Sequence, residues 1–182
     1  MPFLAPHSDF STIVFPQPTM DHSIMTRLKF RIEQIALCPP QPEAAIRLLS
    51  LMGAKQEEWA RDHVTATGRV FGMGGTNEAD LAFDYEMLKD ARELEVLHYT
   101  EGANWMERHG PSVSHLGMHC DAAELMRWRD FMAGEGFKEA QSVVTLKHTN
   151  PVIAGKRSYN YVIYDTRAVL GVDIKFICRI EK

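Results

Sequence analysis

Apolar and polar residues alternate along several short stretches of the chain, while two longer stretches carry apolar residues at helical spacing. The alternation over residues 28–38 and 112–120 predicts half-buried strands. Helices are predicted over 42–52 and 122–133, the second with Asp121 at its N-cap. Three further strands are predicted in each half. In the first half they lie at 57–67, at either 68–73 or 79–87, and at 92–99. In the second half they lie at 138–148, 157–165 and 171–180.

The two halves of the chain repeat this order of elements at an interval of about 80 residues. Gln34 aligns with His115 and Gly53 with Gly134, without gaps between them. One strand, one helix and three strands make a βαβββ unit, whose sheet is covered on one face by its helix. The repeat therefore predicts an α+β fold of two tandem βαβββ modules, which form a curved mixed sheet with a cleft where the concave faces meet.

The repeat also divides the chain into segments. Four of the nine prolines lie in the first 18 residues, which predicts an irregular N-terminal arm that packs on this subunit or on a neighbour. Trp105 is expected to anchor the segment between the modules, and the glycines from Gly72 to Gly75 indicate a hairpin turn. The predicted boundaries are 1–26 for the arm, 27–99 for the first module, 100–111 for the linker and 112–182 for the second module.

Composition excludes several classes of function. The net charge of −4 gives no basic footprint for nucleic acid, and no apolar run approaches the length that spans a bilayer. Cys38, Cys120 and Cys178 are odd in number and lack metal-site spacing, so reduced thiols in a cytoplasmic protein are the prediction. The sequence has neither a Gly-x-Ser-x-Gly elbow nor a dinucleotide-binding fingerprint.

Four polar residues occupy equivalent strand positions in the two modules. Period-2 geometry turns Gln34, Glu95, His115 and Lys175 toward the predicted cleft, where a polar group is costly unless it is paired or ligated. An amide, a carboxylate and an imidazole suit a divalent Zn, Ni, Fe, Mn or Co ion. Two alternatives need no metal. Lys175 pairs with Glu95 as a buried ion pair, or the residues form a hydrogen-bonded cluster between the sheets.

Other candidate residues share the faces of the same strands. His119 and Cys38 lie nearer the rim of the predicted cleft, either as acid–base or substrate-contacting groups or simply packed. Tyr99, Tyr161 and Arg179 are candidates for binding an anionic or aromatic substrate, although an exposed edge position for the arginine is the commoner case. Nothing in the sequence connects His63 or His148 with this site.

Three segments resemble the vicinal oxygen chelate superfamily, which contains glyoxalase I, extradiol dioxygenases, and fosfomycin- and bleomycin-resistance proteins. They are Ile32-Glu33-Gln34-Ile35-Ala36, Leu94-Glu95-Val96-Leu97 and Val113-Ser114-His115-Leu116-Gly117. The resemblance covers about residues 28–180. It implies paired βαβββ modules, metal ligands at Gln34, Glu95 and His115, and a homodimer. Lys175 departs from the pattern, because glyoxalase-type members carry a glutamate ligand there.

These observations predict a metal-assisted lyase, isomerase or oxygenase of the glyoxalase-like type, acting on a small oxygenated molecule. Glu95 and His119 are its predicted catalytic residues, and the predicted substrate-binding residues are Cys38, Tyr99, Lys175 and Arg179. The alternative is a metal-free protein that binds or sequesters a small molecule in the same cleft. A third possibility is an accessory protein assembled through the N-terminal arm.

Overall fold

The structure of the protein is a computed structural model that describes residues 28–54, 59–88 and 92–182. The predicted arm over residues 1–26 lies outside the described residues, and so does the start of the strand predicted at 57–67.

The first half of the described chain folds as a strand, a helix and three strands. They are β1 (Gln34–Cys38), α1 (Pro42–Leu51), β2 (Ala60–Val70), β3 (Met73–Asp84) and β4 (Glu93–Glu101). Pro42 begins α1. At this position a backbone N–H has no acceptor within the helix, so the N–H that proline lacks costs no hydrogen bond. β1 is shorter than predicted, because Leu28 and Phe30 leave the sheet and pack against the apolar core of the second half.

The second half repeats the order of the first. It comprises β5 (Ser112–Cys120), α2 (Ala122–Gly134), β6 (Glu139–His148), β7 (Arg157–Tyr164), the short α3 (Arg167–Leu170) and β8 (Asp173–Glu181). The Asp121 carboxylate accepts a hydrogen bond from the Glu124 N–H at 2.7 Å, so the predicted N-cap of α2 is present. The predicted α+β fold of two βαβββ modules is confirmed, and it is the fold class that the superfamily resemblance implies.

The eight strands form a closed barrel, in the order β1-β4-β3-β2-β6-β7-β8-β5. β1 pairs with β4 and β5 with β8 in parallel, and all other neighbouring strands are antiparallel. The modules meet twice within the one chain, at the β1–β5 junction and at the β2–β6 junction. The second junction makes the predicted curved sheet a closed barrel.

Gly68 explains why β2 and β6 can approach each other. A Cβ atom at this position would lie 2.1 Å from the Ser142 carbonyl oxygen and 2.6 Å from Val143 Cα. No side chain fits such a space without movement of the backbone. The glycine therefore permits the β2–β6 junction, and with it the closed barrel.

The β2–β3 hairpin turns earlier than the glycine run predicted. Phe71 and Gly72 both have positive φ angles, 47° and 83°, as a tight two-residue turn between right-twisted strands requires. Gly74 and Gly75 already belong to β3 and pair with Arg69 and Gly68. Of the predicted turn residues, only Gly72 is in the turn.

The two longer helices cover the outside of the barrel. α2 buries Leu125, Trp128 and Met132, and the Trp128 ring stacks on Phe176 of β8 with centroids 4.8 Å apart. α1 buries Ile46 in a separate core with residues of β3 and β4. In the described part of the chain, no helix has the length and apolar character needed to cross a membrane.

A short 3-10 helix at Trp105–Arg108 lies between β4 and β5, and its Trp105 lines the barrel interior. Trp105 is buried, as predicted for an anchor of the linker, and its Nε1 donates to Asp173 Oδ2 at 3.2 Å. Arg167 also binds Asp173, at 3.1 Å from Nη2 to Oδ2.

Candidate active site inside the barrel

The barrel encloses a cavity of about 100 Å³, room for a small molecule of several non-hydrogen atoms. Trp105 and Tyr99 line one end, which we call the deep end. The other end carries Tyr85 and His119, both partly exposed to solvent, and we call this end the mouth. Apolar side chains line much of the wall between the ends, among them Val64, Ala79, Leu81, Leu97 and Ile177.

The structure brings together the four polar residues at equivalent module positions. We call Gln34, Glu95, His115 and Lys175 the central cluster; all four are buried. His115 Nε2 lies 2.8 Å from Gln34 Oε1 and 3.3 Å from Glu95 Oε2. Lys175 Nζ lies 3.3 Å from Gln34 Oε1 and 3.7 Å from Glu95 Oε2. Convergence of the four positions, expected from the strand alternation, is present.

The hydrogen bonds assign the histidine tautomer. The Gln34 amide nitrogen donates to Glu93 Oε2 at 2.8 Å, so Gln34 Oε1 is the acceptor that faces His115. His115 Nε2 therefore carries the hydrogen, and Nδ1 accepts from the Ser114 hydroxyl at 2.9 Å. Glu95 Oε2 is left buried and without a hydrogen bond from any described residue.

Burial and neighbouring charge set the ionisation of the cluster. Burial raises the pKa of Glu95, but the Lys175 charge and His115 outweigh it and lower the pKa to about 2. Burial and then the Lys175 charge lower the pKa of His115 to about 4, although Glu95 acts in the opposite direction. At neutral pH the cluster therefore holds an ionised Glu95, a neutral His115 and the Lys175 ammonium, whose charges cancel.

This arrangement does not fit a divalent metal ion at the predicted ligands. Gln34 Oε1 already accepts from Lys175 and from His115, and the Nε2 of His115 is protonated in this tautomer. The Lys175 ammonium lies beside two of the three predicted donors and would repel a second cation. Within the ranges that the structure describes, no three His, Cys, Asp or Glu side chains are placed to hold a metal ion.

Two tyrosines supply hydrogen-bond donors deeper in the cavity. Gln141 Nε2 donates to the hydroxyl oxygens of Tyr99 and Tyr161, at 3.2 Å each. Burial raises the pKa of both phenols far above the ordinary value, so both stay protonated. Lys175 Nζ lies 4.8 Å from the centre of the Tyr161 ring, a cation–π contact that places the ammonium over this ring.

The remaining predicted site residues lie at different depths. His119 is at the mouth, with Nε2 3.4 Å from Glu93 Oε2. Cys38 does not line the cavity; it packs with the core near Trp105, and burial raises the pKa of its thiol. The Arg179 side chain is about half exposed, at 46%, and pairs with Glu181. The structure thus places Arg179 apart from the central cluster, whereas Cys38 lies outside the cavity lining but close enough for the Glu95 charge to contribute to the raised pKa of its thiol.

Three further residues line the cavity, although the sequence did not connect them with it. Asp62, Thr145 and His148, which we call the junction cluster, lie where β2 meets β6. His148 Nδ1 lies 2.6 Å from Asp62 Oδ2, and His148 Nε2 lies 2.8 Å from the Thr145 hydroxyl. The interpretation that nothing links His148 with the site is wrong.

A bulge hides this connection from a period-2 pattern. The β2–β6 register shifts between Thr65 and Ala66, whose partners are Lys147 and Thr145. Leu146 has no partner in this register, so Thr145 and His148 face the interior although they are three residues apart. His63 lies on the other face of β2, where it pairs with Asp80 at 2.8 Å from Nδ1 to Oδ1.

Comparisons with known proteins give fold-level similarity alone. No family model and no curated protein matches the chain. A hypothetical protein, BH1468 from Bacillus halodurans C-125, aligns over 84% of this chain and 96% of its own, with TM-score 0.49 and 11% identity. Methylmalonyl-CoA epimerase from Mycobacterium tuberculosis aligns over 82% and 91%, with TM-score 0.44 and 10% identity. At these values the comparisons carry no inference about ligand or reaction.

Proposed function

We propose that the protein is an enzyme that moves a proton on a small oxygenated molecule bound inside the barrel, without a metal ion. The central cluster supplies the chemistry. Glu95 accepts and returns the proton, and Lys175 stabilises negative charge that develops on a ligand oxygen. This is the lyase or isomerase side of the function predicted from the sequence.

One observation carries the proposal. Glu95 Oε2 is a buried, ionised oxygen of a side chain that lines the cavity; His115 Nε2 and Lys175 Nζ lie 3.3 Å and 3.7 Å from it, but neither makes a well-directed hydrogen bond to it. A buried charge without a hydrogen bond is costly, so it is rarely present without a functional reason. The oxygen can therefore accept a proton from a bound molecule without first losing a well-directed hydrogen bond.

The surroundings of Glu95 suit a reaction through an oxyanion. The Lys175 ammonium lies 3.7 Å from the carboxylate, and the phenols of Tyr99 and Tyr161 are held protonated in the same cavity. Donors that are already in place stabilise a charge forming on oxygen without reorganising during the step. Apolar walls exclude water and strengthen these interactions.

Hydrogen exchange in D₂O tests the proposal. The purified protein is incubated with a panel of small 2-oxo acids, 2-hydroxy acids and 1,2-dicarbonyl compounds, and loss of C–H signals is followed by proton NMR. We expect exchange for part of the panel, lowered at least ~100-fold by Glu95→Gln, since a positioned base contributes a factor of that order. Glu139→Gln is the matched control, because Glu139 pairs with Arg129 outside the cavity.

The same experiment separates the proposal from the two alternatives. Exchange that survives a chelator supports the metal-free reaction, whereas exchange that appears only with added Zn, Ni, Fe, Mn or Co favours the metal-assisted form. Tight binding of a panel member without any exchange favours a binding or sequestering protein. Exchange that Glu95→Gln leaves unchanged contradicts the assigned role of Glu95.

A further inference from the structure

We propose that the molecule bound inside the barrel is an uncharged carbonyl compound, and that the carboxylates of the cavity wall disfavour anions. The inference rests on the proposed function for the location and the reaction of the ligand, and it adds the ligand's chemical class. The charged groups that line the cavity, and the hydrogen bonds that these groups already make, support it.

The described residues that line the cavity carry more negative than positive charge. The carboxylates among them are Asp62, Glu93 and Glu95. Lys175 is the one lysine or arginine of this described lining, and His119 and His148 are its two histidines. With both imidazoles neutral the lining has a net charge of −2, and with both charged its net charge is zero. It therefore holds no excess positive charge for an anionic ligand.

Two of the carboxylates accept hydrogen bonds that favour their ionised form. Asp62 accepts from His148 Nδ1 at 2.6 Å and from two backbone N–H groups. At the mouth, Glu93 Oε2 accepts from Gln34 Nε2 at 2.8 Å and lies 3.4 Å from His119 Nε2. The histidine beside each carboxylate at most balances that carboxylate. Neither pair therefore has positive charge in excess for an anion that enters the cavity.

The charge of the lysine is balanced as well. Lys175 Nζ lies 3.7 Å from Glu95 Oε2 and 3.3 Å from Gln34 Oε1. The adjacent His115 donates its Nε2 hydrogen to Gln34 and accepts at Nδ1 from Ser114, which are the hydrogen bonds of a neutral imidazole. A ligand carboxylate would share one ammonium with Glu95. One negative charge would then stay uncompensated between apolar walls, where it is costly.

A carbonyl oxygen suits the same lysine without this cost. An ammonium has three N–H hydrogens, and Lys175 has two oxygen contacts among the described residues, so at least one hydrogen remains for a ligand. A carbonyl oxygen accepts this hydrogen and brings no charge of its own.

The charge balance also holds during the proposed reaction. When the C–H bond beside the carbonyl breaks, its proton binds the Glu95 carboxylate and its electron pair becomes the negative charge of an enolate oxygen. Glu95 is then neutral, and the enolate takes its place as the partner of the Lys175 ammonium. An uncharged substrate therefore keeps one negative and one positive charge in the central cluster before and after the step.

Pyruvamide and pyruvate test the inference as a matched pair on the intact protein. The two compounds are nearly equal in size, and both carry a methyl group beside a carbonyl. Pyruvamide has an uncharged amide where pyruvate has a carboxylate. Their dissociation constants are measured at pH 7 and low ionic strength by ligand-observed NMR. We expect pyruvamide to bind at least ~10-fold more tightly, because repulsion between like charges is weakly screened in a site that excludes water.

Removal of one carboxylate should reduce this discrimination. Glu93→Gln keeps an oxygen that can accept from Gln34 Nε2 and removes the negative charge at the mouth. Pyruvate should bind this variant at least ~3-fold more tightly than the parent, whereas pyruvamide binding should change by less than ~2-fold. Glu139→Gln makes the same replacement outside the cavity, where Glu139 pairs with Arg129, and should leave the binding of both compounds unchanged.

The comparison of the two ligands on the parent protein decides the inference even if Glu93→Gln does not fold. Equal affinities, tighter binding of pyruvate, or no binding of pyruvamide would overturn it. An equal gain in affinity for both ligands in Glu93→Gln would show that the Glu93 side chain limits access by its size. That result would also overturn the exclusion of anions by charge.

Failure of this inference is distinguishable from failure of the proposed function. Preferential binding of pyruvamide, without C–H exchange in D₂O on it or on any compound of the panel, would leave the ligand class standing and remove the enzymatic reaction. Exchange on pyruvate that depends on Glu95, with none on pyruvamide, would keep the reaction and overturn the ligand class.

Discussion

Two polar clusters face the same cavity, and each lies at one of the two junctions between the modules. In the junction cluster every polar side-chain atom has a partner: Asp62 accepts from His148 and from the backbone N–H groups of Thr149 and Asn150. The Thr145 hydroxyl contacts His148 and accepts from the Tyr159 N–H at 2.8 Å. The central cluster, by contrast, leaves Glu95 Oε2 without a hydrogen bond from any part of the chain that is described.

The difference indicates which cluster stabilises the fold and which one can interact with a ligand. A fully bonded buried network stabilises one arrangement and has little to offer a ligand. The junction cluster joins β2 to β6 and thereby closes the barrel. The central cluster retains an ion pair with an unused oxygen, and such a site gains most from a bound molecule.

Replacement of Lys175 by methionine should have the largest effect on stability. It leaves Glu95 without its cation, and loss of one partner from a buried ion pair costs about 3–5 kcal/mol in the free energy of unfolding. Urea denaturation at pH 7 measures the change. Glu95→Gln/Lys175→Met should recover most of the loss, because no uncompensated charge remains. A double variant as unstable as the single one would show that Lys175 matters through packing instead.

The Asp62→Asn variant should cost less, about 2 kcal/mol, the scale of a hydrogen bond to a charged group. The amide would donate to His148 Nδ1, so the histidine hydrogen should move to Nε2, which nitrogen-15 NMR detects. The matched control is Asp80→Asn, which alters the exposed His63–Asp80 pair and should change stability by less than about 0.5 kcal/mol. A loss of stability from Asp62→Asn as large as that from Lys175→Met would erase the distinction between the clusters.

The modules and the central cluster could be predicted from the sequence because both follow from strand alternation and from the repeat. Strand alternation reports which side chains share a face, and the repeat relates Gln34 to His115 and the Glu95 strand to the Lys175 strand. These relations are local or symmetric, so a pattern contains them. The α+β class, both longer helices and convergence of the four polar residues all follow from it.

The closure of the barrel and the junction cluster could not be predicted in this way. Closure depends on the contact of Gly68 with the Ser142 carbonyl, a relation between distant residues that no local pattern contains. His148 reaches the interior through the bulge at Leu146, which breaks the period of two on which the prediction relied. The metal site was predicted from residue types alone. The hydrogen bonds of Gln34 and the position of Lys175, which do not fit a metal ion, depend on the three-dimensional placement of these side chains.

The loss of stability in mild acid should also distinguish the two clusters, although this change in the free energy of unfolding is smaller than those of the two replacements above. The pKa of His115 is lowered to about 4, so between pH 6.5 and 4 the unfolded chain binds a proton that the folded chain does not. Stability from this group is therefore lost as pH falls through that window, by about 1 kcal/mol from pH 6.5 to 5.5. Asp62 also has a lowered pKa, but its contribution is lost only below the ordinary aspartate range, near pH 4. Urea denaturation across pH 4.5–6.5 should thus show a slope that His115→Asn reduces and Asp62→Asn leaves unchanged. A slope that Asp62→Asn removes would assign the titration to the junction cluster.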